Sequence, residues 1–201
     1  MKKETVFPQL KPAYLAALLP TCVALNFAGS LIRDMLKVPL FLDTGGTLLA
    51  TFIGGPVIGF AAAALHAVVM MIVYGPIQIW TILPTGIIAL MVGFSAKKGW
   101  TKSWVGLILT LVAEQLPACI ASAYVYTYIY GGFSGGGLDI MHAVFMEATS
   151  SVFASSFISE LVSGFLDKAV LTIVLMLIFR ALPAKFRVAT PFAGASEEDD
   201  D

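Results

Sequence analysis

Apolar residues run almost unbroken along this chain, and they are divided by glycine, proline and charge rather than by alternating polar and apolar faces. A hydrocarbon core about 30 Å thick needs roughly 20 helical residues to cross it. Uncharged or nearly uncharged stretches of that length predict spanning helices over residues 13–32, 57–74, 77–96 and 103–127, with a last one ending at Arg180. Gly75-Pro76 separates the second of these from the third. A further apolar stretch, 44–53, is caught between Asp43 and Gly54-Gly55-Pro56, and at 1.5 Å per residue it supplies only about 15 Å of helix.

Composition then narrows the class. The 201 residues are 58 % hydrophobic and 12 % charged, with a mean hydropathy of +0.88, and residues 44–96 contain no Asp, Glu, Lys or Arg. That excludes a disordered chain, a nucleic-acid-binding domain and a disulfide-stapled secreted scaffold, and it predicts an all-α membrane protein in the lipid bilayer. Cys22 and Cys119, both inside apolar segments, read as buried thiols rather than a bridge or metal ligands.

Charge decides whether the short segment crosses. If it does, one side of the membrane holds Lys2, Lys3, Lys11, Lys97, Lys98, Lys102, Arg180, Lys185 and Arg187, and the other holds Arg33 and Lys37. Nine against two follows the positive-inside rule, and both termini fall in the cytoplasm. Leaving it out gives three against eight, with no preference for the N-terminal side. The expected fold is therefore a six-helix transmembrane bundle over 13–183, between a cytoplasmic segment 1–12 and a solvated, acidic tail within 184–201. Lys2 and Lys3 before an apolar run also fit a signal peptide in form, but the run reaches full spanning length, so the first helix is expected to stay.

A shortened second crossing leaves backbone outside a helix at membrane depth, where it is tolerated only if protein covers it or a water-filled cavity borders it. The connection 33–43 is accordingly expected to fold inward and roof a cavity open to the outside. The alternative is a surface loop on a thinned bilayer.

Ionisable groups inside spans are costly, at about 2.5–3.5 kcal/mol each, so each needs a partner or a cavity. Glu114 and His66 lie near mid-depth and could join Asn26, the chain's only Asn, in a buried polar cluster. On the last helix Ser156, Glu160, Ser163 and Asp167 recur at steps of four, three and four and share a face. They read either as the wall of a substrate pocket or as a polar seam between helices, with Lys168 snorkelling outward. Tyr74, Trp80, Tyr124, Tyr126, Tyr128, Tyr130 and Phe133 gather toward the same side, as an interfacial belt or as stacking partners for a flat ligand. Ala13 and Ala17, then Ala24 and Ala28, are spaced by four, which lets another helix approach closely. Gly131–Gly137 reads as a flexible external connection.

No P-loop is present, so any ATP-driven work would belong to partner subunits. The usual metalloprotease, redox, zinc and serine-hydrolase signatures are missing too.

The stretch Leu42-Asp43-Thr44-Gly45-Gly46-Thr47 followed by Gly54-Gly55-Pro56-Val57-Ile58-Gly59 resembles the Leu-Asp-x-x-Gly-Thr and Gly-Pro-x-x-Gly region of substrate-binding S components of energy-coupling factor (ECF) transporters. Asp167-Lys168, then Arg180-Ala181-Leu182-Pro183, is similar to that family's closing helix and cytoplasmic exit. The resemblance covers about residues 13–187. It implies a six-helix, multi-pass cell-membrane subunit that binds a vitamin or similar micronutrient from outside, under a lid formed by the first external loop. It also implies a transmembrane coupling subunit and two ATPase subunits as partners, ATP being used by the ATPases and no cofactor being bound by this chain. Ala24 and Ala28 match the family's docking motif for the coupling subunit. On this reading the candidate binding residues are Arg33, Asp34 and Asp43 on the lid, Glu160, Ser163 and Asp167 on the wall, and Trp80 for stacking. A standalone membrane sensor and an intramembrane enzyme using Glu114 or Asp167 as acid or base remain as other readings.

Overall fold

The computed structural model describes residues 10–37 and 39–181. The basic positions Lys2, Lys3, Lys185 and Arg187 and the acidic tail lie outside the described residues. The protein is 85 % helical, with no strand among the described residues. Its helices are α1 (Pro12–Leu36), α2 (Gly45–Gly54), α3 (Pro56–Tyr74), α4 (Ile82–Lys97), α5 (Trp104–Tyr124), α6 (Leu138–Thr149) and α7 (Val152–Ala181). A 3₁₀ turn, Pro76–Thr81, leads into α4, and a π-helical turn, Val125–Ile129, extends α5.

Four of these units are long and apolar enough to cross a membrane: Pro12–Leu36, Pro56–Tyr74, Pro76–Lys97 and Trp104–Ile129. Burial agrees with lipid as the surrounding solvent. Val57, Ile72 and Val105 are at least 70 % exposed, while Lys168, Glu114, Asn26 and Thr47 are among the largest fully buried side chains. A water-soluble protein has the opposite arrangement.

The first helix runs one turn further than the expected 13–32, so Arg33 and Asp34 stand on its last turn rather than in a loop. Lys37 ends it in the left-handed conformation.

The short helix α2 is the hub. It packs against α1, α3, α4 and α7, and only Leu49 and Gly54 escape full burial. One of its faces joins Leu18, Cys22 and Ala62 of α1 and α3, and another joins Ile88, Val92, Ala118, Leu171 and Leu175 of α4, α5 and α7. Such placement requires a close approach to α1, which Gly46 permits: a Cβ there would collide with the Cys22 carbonyl.

The N-terminus of α2 is capped from another helix. Thr44, at its N-cap position, supplies no side-chain cap. Instead Asn26 of α1 accepts hydrogen bonds from the Gly46 and Thr47 N–H groups (2.7 and 3.2 Å) and donates to Thr47 Oγ1 (2.8 Å). The first N–H groups of a helix have no partner of their own, and away from water they must find one. That requirement explains the chain's only Asn in the middle of an apolar helix.

Candidate functional site

Of the connection expected to fold inward, 33–36 belong to α1, while residues 39–42 are half-buried and Asp43 and Thr44 buried, and three side chains hold that segment in place. Arg33 Nη1 donates to Asp43 Oδ2 at 2.8 Å, while its Nε donates to Asp34 Oδ1 at 3.0 Å. Asp167 Oδ1 on α7 accepts the Leu42 N–H at 2.8 Å. Lys168 Nζ donates to Thr44 Oγ1 at 2.9 Å and to Asp167 Oδ2 at 3.1 Å. Leu42 sits at φ 49°, a left-handed conformation that a leucine rarely adopts and that surrounding contacts must maintain. Gly29 of α1 lies directly against the Leu42 carbonyl, where a Cβ would leave no room for it.

Beneath this roof lies a cavity of about 310 Å³, within the range of small-molecule sites. Arg33, Asp34, Asp43 and Thr44 border it from α1 and the roof, and Glu160 and Lys168 from α7. Gln115, Cys119 and Ser122 share one face of α5, at steps of four and three, and form the facing wall. Gln115 Nε2 donates to Cys119 Sγ (3.1 Å) and to the Glu160 carbonyl (3.3 Å), leaving its buried Oε1 without a partner.

The π turn after α5 brings Val125 and Tyr126 into the lining, while Tyr124 and Tyr128 on either side stay exposed. Such turns add a residue to the helix and re-aim the side chains around it. Tyr130 OH donates to Gln78 Oε1 at 2.9 Å and ties the end of α5 to the 3₁₀ turn.

A second cover comes from the glycine-rich connection. Asp139, in the first turn of α6, accepts from the Ser134 N–H (3.1 Å), Ser134 Oγ (2.8 Å), the Gly135 N–H (2.7 Å) and Tyr126 OH (3.0 Å). The expected flexible loop is thus gathered around one carboxylate, and Ser134–Leu138 face the cavity. His142, one turn further along α6, lies with its ring 3.8 Å from that of Tyr126 and its Nδ1 3.9 Å from Asp139. Burial pushes its imidazole down to about 4, with Asp139 opposing that shift.

Of the residues singled out from sequence, Arg33, Asp34, Asp43 and Glu160 meet at this cavity. Ser163, Asp167 and Trp80 are not among its lining. Ser163 is buried between α7 and α6, its Oγ 3.2 Å from Met141 Sδ. Asp167 is fully buried behind the wall and anchors the roof. Trp80 is 44 % exposed on the 3₁₀ turn. Lys168 does not snorkel outward: it is 2 % exposed and points at Thr44 and Asp167. The polar trio also divides. Asn26 and His66 lie on the α1 side, where Ser30 Oγ is 3.4 Å from His66 Nε2, whereas Glu114 lies within electrostatic reach of Lys168.

Tyr74, Tyr126 and Tyr130, singled out as belt or stacking residues, border the cavity too, as does Lys168, whereas Gln115 and His142, on two different helices, carried no sequence signal toward it. Ala24 and Ala28 are exposed on the outer face of α1. No protein-family model, curated protein or solved structure matches the chain.

Proposed function

We propose that this chain is the substrate-binding S component of an ECF-type uptake transporter. In this reading it is a multi-pass protein of the cell membrane that crosses six times, through α1, α2, α3, α4, α5 and α7, with both termini in the cytoplasm. The α6 helix and the glycine-rich connection then lie outside. Counting back from Arg180 at 1.5 Å per residue, Asp167 lies about 20 Å and Glu160 about 30 Å deeper, toward the outer face. A vitamin or similar micronutrient enters from outside and is held beneath residues 39–44.

The observation that carries this reading is the cavity itself, roofed by the short second segment's lead-in and lined by ionisable groups that lipid would reject. Two neighbouring α7 residues hold that roof, an arrangement suited to a lid whose release is coupled to events elsewhere in the bundle. The sequence carries no P-loop, and in this reading a transmembrane coupling subunit and two ATPases provide the energy. Ala24 and Ala28 form a shallow strip on α1 where a helix of the coupling subunit can approach.

Affinity purification of the tagged chain from its native membrane tests the assembly. Recovery of a membrane subunit and P-loop ATPases supports the transporter, and reproducible recovery of the chain alone contradicts it in favour of a standalone sensor.

A further inference from the structure

Among the described residues that border the cavity, four are exposed: Lys37, Tyr74, Ser134 and Gly135. They mark its mouth. Lys37 and Tyr74, at the C-terminal ends of α1 and α3, form one lip, and the glycine-rich connection forms the other. The roof segment contributes no exposed residue to this opening.

The two covers differ in what holds them. The bonds of the roof run to Asp167 and Lys168, 0 and 2 % exposed, and Gly29 of α1 backs the Leu42 carbonyl without space for a Cβ. The bonds of the connection lie at the surface. The Ser134 N–H, Ser134 Oγ and Gly135 N–H all converge on the Asp139 carboxylate, where water competes for each.

The backbone of the connection is also free to turn. Gly131, Gly132 and Gly135 have φ of 68°, 86° and 79°, and a Cβ at Gly131 or Gly135 would meet nothing. Phe133 and Ser134 are thus carried between glycines on both sides. Glycine accepts the φ changes of a hinge at little cost, and surface-held backbone with few buried contacts is the first part of a protein to open. The α6 helix is seated on α7, with Met141 at Ser163 and Met146 at Ser155, so the connection can swing without it.

Building on the solute-binding reading above, we propose that the solute enters between the glycine-rich connection and the lip formed by Lys37 and Tyr74. Residues 131–137 are the gate and Asp139 is its latch, while the roof over the cavity stays closed. Loading then requires no break in the bonds that Asp167 and Lys168 make to the roof.

Ser122, half-buried in the cavity wall, offers a place for a reporter. The purified full chain carrying Ser122→Cys and Cys119→Ala is treated with benzyl methanethiosulfonate, an uncharged reagent with an aromatic ring, and labelling is followed peptide by peptide. Cys22, 0 % exposed and packed against α2, is kept to report any general loosening. Asp139→Ala is expected to speed labelling at position 122 by about tenfold, which is what loss of one charge-assisted hydrogen bond is worth, with Cys22 still unlabelled. Asp139→Asn, which retains an acceptor oxygen, falls between. Asp167→Ala loosens the roof and leaves the rate at position 122 near that of the parent, as does the gentler Thr44→Val, which gives up only the bond from Lys168. Unchanged labelling in Asp139→Ala, faster labelling in Thr44→Val, or labelling of Cys22 alongside position 122 in both Asp139 variants overturns the gate while leaving a solute cavity in place. No labelling at position 122 in any folded variant, with full labelling after denaturation, overturns the solute-binding reading as well.

Discussion

Asp167 accepts a hydrogen bond from the backbone N–H of Leu42 at 2.8 Å, across 125 residues of chain. With its other oxygen it holds Lys168, which in turn donates to Thr44, so one dipeptide of α7 fixes both ends of the turn leading into α2. Asp167→Ala frees the Leu42 N–H and leaves Lys168 buried beside Glu114 without its direct ion pair. Breaking a buried pair in this way costs about 3–5 kcal/mol. Thermal unfolding in detergent is expected to show that loss, with Asp167→Asn, which keeps an acceptor, falling between Ala and the parent. Unchanged stability with weakened ligand binding would make Asp167 a ligand contact instead of the anchor of the roof.

Asn26 has the same standing at the other side of α2. Asn26→Leu is close to isosteric, yet it leaves the Gly46 and Thr47 N–H groups unpartnered in an apolar setting. Each orphaned donor costs about 1–3 kcal/mol. Faster hydrogen exchange confined to 45–54 is the expected signature, and exchange no faster than in the parent would show that α2 is held by packing alone.

Acid is expected to loosen the outer cover before the bundle. The buried imidazole of His142 titrates at about 4, against about 6.5 when unfolded, so the folded state binds fewer protons between those values. The stability it lends to the α6 seat is complete above about pH 6.5 and falls as pH drops toward 4, by up to about 3 kcal/mol. Hydrogen exchange across 131–149 should rise over that window, and His142→Gln should flatten the dependence. A dependence that survives His142→Gln assigns it to another group.

How much of this was legible in the sequence depends on what lipid does to the usual signals. The long helices could be placed to within a few residues because Gly-Pro pairs and charges bound the apolar runs. Which face of each helix turns inward could not be read from apolar periodicity, since the lipid-facing and packed sides are both apolar. Polar residues alone carried that information. They located Arg33, Asp34, Asp43 and Glu160 at one cavity, and the step from Ser163 to Asp167 found a buried face without distinguishing lining from anchor. Lys168 falls just off that stripe, and only the positions of Thr44 and Asp167 explain why a lysine turns inward. The clasp around Asp139 was hidden for another reason. Glycine-rich sequence carries no periodicity, and the four hydrogen bonds that organise it depend on Tyr126, brought round by a π turn.

The exposed strip on α1 separates binding from assembly. Ala24→Leu and Ala28→Leu enlarge a surface that touches nothing within this chain's core. Both should fold and bind ligand as the parent does, yet lose most of the co-purifying coupling subunit and the uptake that depends on it. Intact uptake with either variant would place the docking surface elsewhere.

The claim on which the rest depends is that the cavity beneath residues 39–44 binds a solute. Calorimetric titration of the purified chain with a panel of vitamins and cofactors, run in parallel on Ser122→Trp, tests it most directly, because an indole at Ser122 would occupy much of about 310 Å³. The account predicts one-to-one binding of a panel member by the parent and at least a hundredfold weaker binding by Ser122→Trp at undiminished helix content. Binding of equal strength by both, or no binding by a well-folded parent, would contradict it.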